Sequence, residues 1–207
     1  EALWITDKNK SELVIRQGFD LMKQRVYSDS IMAQAYHLLG KLLVDQKEIK
    51  AGIDTLLISI EYKKKAFGDT DPDLSKTYNY IGIAYFKLSE LENAKKYYEK
   101  SAQILEENNI YNRNLYDAYL NIGIYYSIKG SYSASYKYLN TTRNILDSLG
   151  NSFDSSLIAR FYLNYGTFAT LNGKLKEANS YFNIAESNYL NKYGPDYVSL
   201  AGINTNK

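Results

Sequence analysis

The chain has 207 residues, 45% of them hydrophobic, with 25 basic side chains against 23 acidic ones and a net charge of +2. That balance supplies a continuous core and excludes both a disordered chain and the domain-wide basic face that nucleic acid requires, so no nucleic-acid partner is expected. There is no cysteine, which excludes disulfide scaffolds, thiolate metal sites and cysteine nucleophiles together, and no window approaches the roughly 18 uninterrupted apolar residues of a membrane span, so no direct membrane insertion is expected.

Taken in chain order, "ALWI" reads as the tail of a helix, "TDKNK" as a turn and Ser11 to about Tyr27 as a second helix, a partial unit over 1–27. From there the chain repeats. Gly40, Gly82, Gly123 and Gly166 stand 42, 41 and 43 residues apart, each inside an apolar pattern of helical spacing. Four residues before them stand Tyr36, Tyr78, Tyr119 and Tyr162; one before, Leu39, Ile81, Ile122 and Tyr165; three after, Leu43, Tyr85, Tyr126 and Ala169. These offsets share one helical stripe. A glycine in a helix interior costs about 1 kcal/mol relative to alanine, so its recurrence predicts a packing notch.

Twelve residues past each glycine lie Gly52, Ala94, Ser135 and Ala178, and seven further on Ser59, Ser101, Thr142 and Ala185. Between the two small positions a large residue stands each time: Leu56, Tyr98, Leu139 and Phe182. Each unit is therefore predicted to be a pair of antiparallel helices whose notches face one another, with the bulky residues locking in beside them. Short turns at "KE" (47), "SE" (89), "GS" (130) and "GK" (173) join the two helices of a unit, while "FGDTDPD", "NNIYNRN", "LGNSFDS" and "KYGPD" join successive units. Asp71 followed by Pro72 reads as a helix cap with proline in the first turn, and Gly150 as a helix stop. The expected organisation is a single array over 1–207, with full repeats over 28–68, 69–109, 110–150 and 151–193 and the start of another over 194–207.

With the glycine counted as position 8, the unit has an aromatic at 4, an apolar residue at 7, an aromatic at 11 and small residues at 20 and 27. This pattern resembles the tetratricopeptide repeat family, most closely in "SKTYNYIGIAYFKLSELENAKKYYEKSAQI". The common repeat has about 34 residues and a proline near position 32, where this chain has Lys64, Glu106, Asp147 and Leu190; the longer unit resembles the subclass of about 42 residues found in kinesin light chains and bacterial regulatory proteins. The resemblance implies an all-α fold, a right-handed α-solenoid of antiparallel helix hairpins, and a non-catalytic role as a scaffold binding a protein or peptide partner in a concave groove lined by the first helix of each hairpin. It implies as contacts His37 and Lys41 in the first repeat, Asn79, Ile83 and Phe86 in the second, Asn121, Ile124 and Ser127 in the third, and Asn164, Thr167 and Thr170 in the fourth. Asn121 and Asn164 stand where family members use asparagine to hold the backbone of an extended peptide. A carboxylate clamp for chaperone tails needs more cations than Asn79, Ile83, Asn121, Arg160 and Asn164 supply, which leaves Arg160 to receive one carboxylate. The alternative is the sensory or regulatory arm of a longer bacterial enzyme, such as a caspase-like protease or a histidine kinase; a third reading is a spacer without a ligand.

No cluster of residues reads as an active site. His37, the one histidine of the chain, has no evident metal-ligand or nucleophile partner and is expected on a helix surface. "DTDPD" alternates aspartates as calcium loops do, but places Leu74 and Tyr80 where such a loop has glycine and glutamate. "YKKK" at 62–65 is a positive patch near a helix C-terminus, where the dipole favours cations, and the adjacent Glu106 and Glu107 diverge on their helix. No cofactor and no metal are expected. Solenoids normally finish with polar capping repeats, and neither end of this sequence has one, so it reads as an excerpt of a longer protein whose ends would stack on other copies. The bias towards Lys, Asn, Ile and Tyr points to an AT-rich bacterial genome, and the compartment is left open.

Overall fold

The computed structural model describes residues 17–18, 27–150 and 154–194. Eight helices follow one another among them: α1 (Asp29–Asp45), α2 (Ile49–Phe67), α3 (Leu74–Lys87), α4 (Leu91–Glu107), α5 (Arg113–Ile128), α6 (Tyr132–Leu149), α7 (Ser155–Leu171) and α8 (Leu175–Tyr193). No strand occurs among the described residues. The chain divides into two compact units between Ile110 and Tyr111, the first holding α1–α4 and the second α5–α8. The partial repeats expected over 1–27 and 194–207 lie almost wholly outside the described residues.

In the first unit α1 packs on α2 and α3 on α4, and the second hairpin stacks on α2; in the second unit α5 packs on α6, α7 on α8, and α7 rests on both helices of the preceding hairpin. The recurring glycines account for the close approach within each hairpin. A Cβ placed on Gly40 would lie 2.7 Å from Leu56, on Gly82 2.5 Å from the Tyr98 ring, on Gly123 2.9 Å from Leu139, and on Gly166 2.5 Å from the Phe182 ring. The large residue between the two small positions thus fills the notch opened by the missing side chain. The small positions add polar anchors. Ser59 donates to the Ala33 carbonyl at 2.7 Å, Ser101 to the Ser75 carbonyl at 2.9 Å and Ser135 to the Gly123 carbonyl at 2.9 Å, each from a second helix to its first. Such bonds need the close approach that small residues allow.

The tyrosines pack as ring sets. Tyr97 lies between Tyr78 (6.1 Å between ring centres) and Tyr85 (5.5 Å, 15° between planes), and Tyr138 between Tyr119 (5.8 Å) and Tyr126 (5.6 Å, 12°). In the last hairpin Ala169 replaces the third ring, and Tyr181 instead meets Tyr162 at 6.0 Å and Tyr165 at 4.7 Å.

The turns inside the hairpins share one backbone solution. Lys47, Ser89, Gly130 and Gly173 all have positive φ, at 71°, 62°, 71° and 73°. Each is followed by a residue whose amide reaches back to the helix end, Glu48 to Leu43, Glu90 to Tyr85, Ser131 to Tyr126 and Lys174 to Ala169, at 2.9 to 3.0 Å. This is the Schellman arrangement, which satisfies carbonyls a helix end leaves open. Longer connections start their helices with side-chain caps. Asn112 accepts from the amides of Asn114 and Leu115, and Asp154 from Ser156. Asp71 accepts from the Asp73 amide at 2.8 Å, so it caps the turn containing Pro72, although the regular helix begins only at Leu74.

Candidate interaction surface

In the first unit the first-helix residues are less free than the resemblance implies. His37 is half-buried, and its Nδ1 lies 3.0 Å from the Thr77 hydroxyl of the neighbouring hairpin, with its ring edge-on to Tyr80. It is therefore an inter-hairpin residue and not the surface histidine expected. Burial, with the positive charges of Lys63, Lys41 and Lys76 outweighing the opposite pull of Asp73, pushes its pKa down to about 4, so the ring is neutral at neutral pH. Lys41 places its ammonium 5.0 Å from the centre of the Tyr80 ring, a cation–π contact. Asn79 is only 8% exposed, which corrects its expected role as an open groove contact, while Ile83 and Phe86 are half-buried.

The lysine run at 62–65 is likewise not a uniform positive patch. Lys63 has a side chain 3% exposed, and its ammonium donates to the Asp73 carbonyl at 2.8 Å and to the Asp73 carboxylate. Asp73 also receives Lys76 at 3.0 Å, and Asp69 pairs with Lys64 at 3.1 Å, so two aspartates of the "DTDPD" stretch serve lysines. Burial lowers the pKa of Lys63 against the raising effect of Asp73, whereas for half-exposed Asp73 the bonds from Lys63 and Lys76 outweigh burial and hold the carboxyl below its ordinary range. The two shifts are consistent, because the cost of leaving water falls on the more deeply buried partner.

In the second unit Asn121 and Ile124 are half-buried and Ser127 is 9% exposed, so Ser127 is also corrected from contact to buried residue. Asn164 donates its amide to the Arg160 carbonyl of its own helix at 2.8 Å, and the exposed Thr167 and Thr170 bond back to Leu163 and Gly166 at 2.9 and 3.0 Å. Polar side chains on α7 thus turn part of their capacity onto the helix itself. Arg160 does not await a carboxylate, because its guanidinium already pairs with Asp117, which Arg113 also approaches at 3.8 Å. The Arg160 Nε is buried with no hydrogen-bond partner. Beneath it the fully buried Tyr116 donates to the Leu157 carbonyl at 2.9 Å, and burial raises its pKa well above the ordinary phenol value.

Neither the Lys63–Asp73 pair nor the Tyr116–Leu157 bond was singled out from sequence, and the signal for the first was only an aspartate ten residues after a lysine. Among the described residues no group of three potential metal ligands gathers, and no helix is long and apolar enough to cross a membrane.

Residues 31–107 match the tetratricopeptide repeat family. Among solved structures the chain is similar to BtubC (BKLC) from P. vanneervenii, at 15% identity and a TM-score of 0.74, covering 92% of this chain and 77% of that one. It is similar to a kinesin light chain-like protein of Podosopora anserina with nearly identical TPR-like repeats, at 11% identity and a TM-score of 0.67, covering 93% of this chain and 92% of that one. A Rap protein complexed with Competence and Sporulation Factor matches at 17% identity and a TM-score of 0.70; this chain is covered over 83%, and spans 46% of that one. No curated protein sequence matches. At these identities the likeness establishes the fold, stacked helical hairpins of one repeating type.

Proposed function

We propose that the chain, whose residues 31–107 match the tetratricopeptide repeat family, is a non-catalytic interaction module binding a peptide or protein partner on the outward faces of its first helices. The observation that carries this reading is the half-burial of Ile83 and Phe86 on α3 and of Ile124 on α5, apolar side chains that keep surface for a partner beside polar neighbours. A related fold complexed with Competence and Sporulation Factor supports the same use of such a scaffold. Half-exposed apolar residues, with the half-buried Asn121 beside Ile124, suit an extended segment whose side chains bury area while its backbone meets an amide.

Selection of a displayed peptide library on the full chain tests this, followed by Ile83→Asp and Ile124→Asp made singly. The expected result is an enriched peptide whose affinity falls about tenfold or more in the variant of the unit that holds it, since a charge there meets the partner's apolar side chain. Failure of any peptide to enrich over an unrelated helical protein overturns the proposal, as does unchanged affinity in both variants with unchanged helix content.

A further inference from the structure

Between α1, α2 and α3 of the first unit lies a cavity of about 230 Å³, walled by Gln34, His37, Leu38, Lys63, Asp73 and Lys76. It exceeds several times over the roughly 30 Å³ that one water occupies in the liquid. Its most unusual wall is Lys63, whose side chain is 3% exposed. A buried ammonium costs several kcal/mol in lost hydration, on the order of the whole stability of a small domain, unless acceptors surround it. An ammonium carries three N–H groups, and the acceptors in reach are the carbonyl and one carboxylate oxygen of Asp73, leaving one donor with no acceptor among the described groups. The other carboxylate oxygen of Asp73 is taken by Lys76, whose side chain is 54% exposed and which has no further acceptor among the described groups. Lys41 adds a third positive charge near His37, while Asp71, whose charge also acts on Lys63, spends an oxygen on the Asp73 amide.

Positive charge therefore exceeds negative around the opening, and two ammonium groups on different helices have donors to spare. We propose that this cavity is an oxyanion site, in which Lys63 and Lys76 together hold a carboxylate or phosphate group. The bond to Lys63 would be charge-assisted and shielded from water, where such bonds are strongest. His37, neutral at neutral pH, supplies a polar wall without a competing charge. The oxyanion can arrive free or on a side chain of a partner, and the site does not depend on the interaction reading.

His37 also makes the site measurable, because the chain has no other histidine and its ring signals in an NMR spectrum are unambiguous. The groups facing it are Lys41 on its own helix, Lys63 on α2, Asp73 before α3 and Lys76 on α3. Burial does most to hold the imidazole pKa down and the cations add to it; an anion among them offsets the part due to the cations, so occupancy raises that pKa. The full chain is titrated with inorganic phosphate and with acetate, chloride holding the ionic strength constant. A saturable movement of the His37 signals and a higher His37 titration midpoint are expected with both. Lys76→Gln, at a largely exposed position, is expected to weaken phosphate on the order of tenfold by removing one of two charge-assisted partners. Lys63→Met is the more disruptive companion and is read only if its helix content is unchanged. A glutamate-bearing peptide that moves His37 when its glutamine counterpart does not identifies a partner as the source of the anion. No saturable movement with either phosphate or acetate beyond that with chloride overturns the site, as does a Lys76→Gln chain that titrates like the original. Peptide binding without any phosphate or acetate response leaves the interaction reading standing and this site overturned; a saturable phosphate response in a chain that enriches no peptide does the reverse.

Discussion

Gly82 is a residue at which two general tendencies oppose each other. Alanine there gains about 1 kcal/mol of helix propensity, yet its Cβ would stand 2.5 Å from the buried ring of Tyr98, and overpacking of that kind costs about 1–3 kcal/mol. Gly82→Ala is therefore expected to lower stability in a urea titration; equal or higher stability would mean that the Tyr98 ring moves aside freely. Ser89 presents the inverse case. Its φ of 62° is left-handed, a conformation that costs a residue with a Cβ about 1–2 kcal/mol and glycine almost nothing, and Gly130 and Gly173 already occupy the equivalent turns. Ser89→Gly is expected to raise stability by about 0.5–1 kcal/mol after glycine's larger chain entropy is counted. The glycine notches were legible in the sequence because their partners recur at a fixed offset within the same hairpin. His37, Asn79, Ser127 and Lys63 were misread because what buries them belongs to tertiary packing; for His37 the bonded hydroxyl is 40 residues away and for Lys63 the carboxylate is across a loop.

At the scale of the helix, α7 depends on one exposed carboxylate. Asp154 accepts from the hydroxyl and the amide of Ser156 and pairs with Lys192 of α8 at 3.3 Å, so it fixes both the start of α7 and the far end of its partner. The Ser156 hydroxyl first, then its amide and Lys192, hold the Asp154 pKa down at about 2 against a slight cost of burial, compared with 3.8 ordinarily. A carboxylate whose folded pKa is depressed contributes its full stabilisation above the unfolded value and loses it as pH falls through the folded one. Asp154→Ala is expected to cost about 1 kcal/mol at neutral pH, the usual loss of a cap, and the deficit relative to the original chain should shrink between about pH 4 and pH 2. Acid titration of helix content for the two chains measures this; a deficit independent of pH would place the effect elsewhere. The helices themselves and the short turns between them were legible from periodicity and turn chemistry. That Lys47 and Ser89 take left-handed conformations was not, because neither residue type announces it and only the demand of the hairpin for closure imposes it.

For the molecule as a whole, each of the two units has its own hydrophobic interior, one gathered around Leu56, Ile81 and Tyr78, the other including Phe182, Ala169 and Ala178. Gly82 and Gly166 meet different rings, Tyr98 and Phe182, so their effects have no shared partner. The stability losses of Gly82→Ala and Gly166→Ala are expected to add within about 0.5 kcal/mol in the double variant, and a clear departure in a denaturant titration would reveal coupling. The fold class was readable because the same small and large residues return every hairpin. The candidate surface was readable only as a face, since which of its side chains stay open depends on bonds to neighbouring helices that no spacing encodes.

The ring sets centred on Tyr97 and Tyr138 carry an optical consequence. Phenols held in fixed mutual orientation within a chiral frame give ellipticity in the near ultraviolet, and this signal vanishes once side chains tumble, whatever the backbone still does. Heating that erased this band while the far-ultraviolet helix signal persisted would report hairpins unzipping before their rods melt, a sequence of events the tyrosines make visible without any added dye.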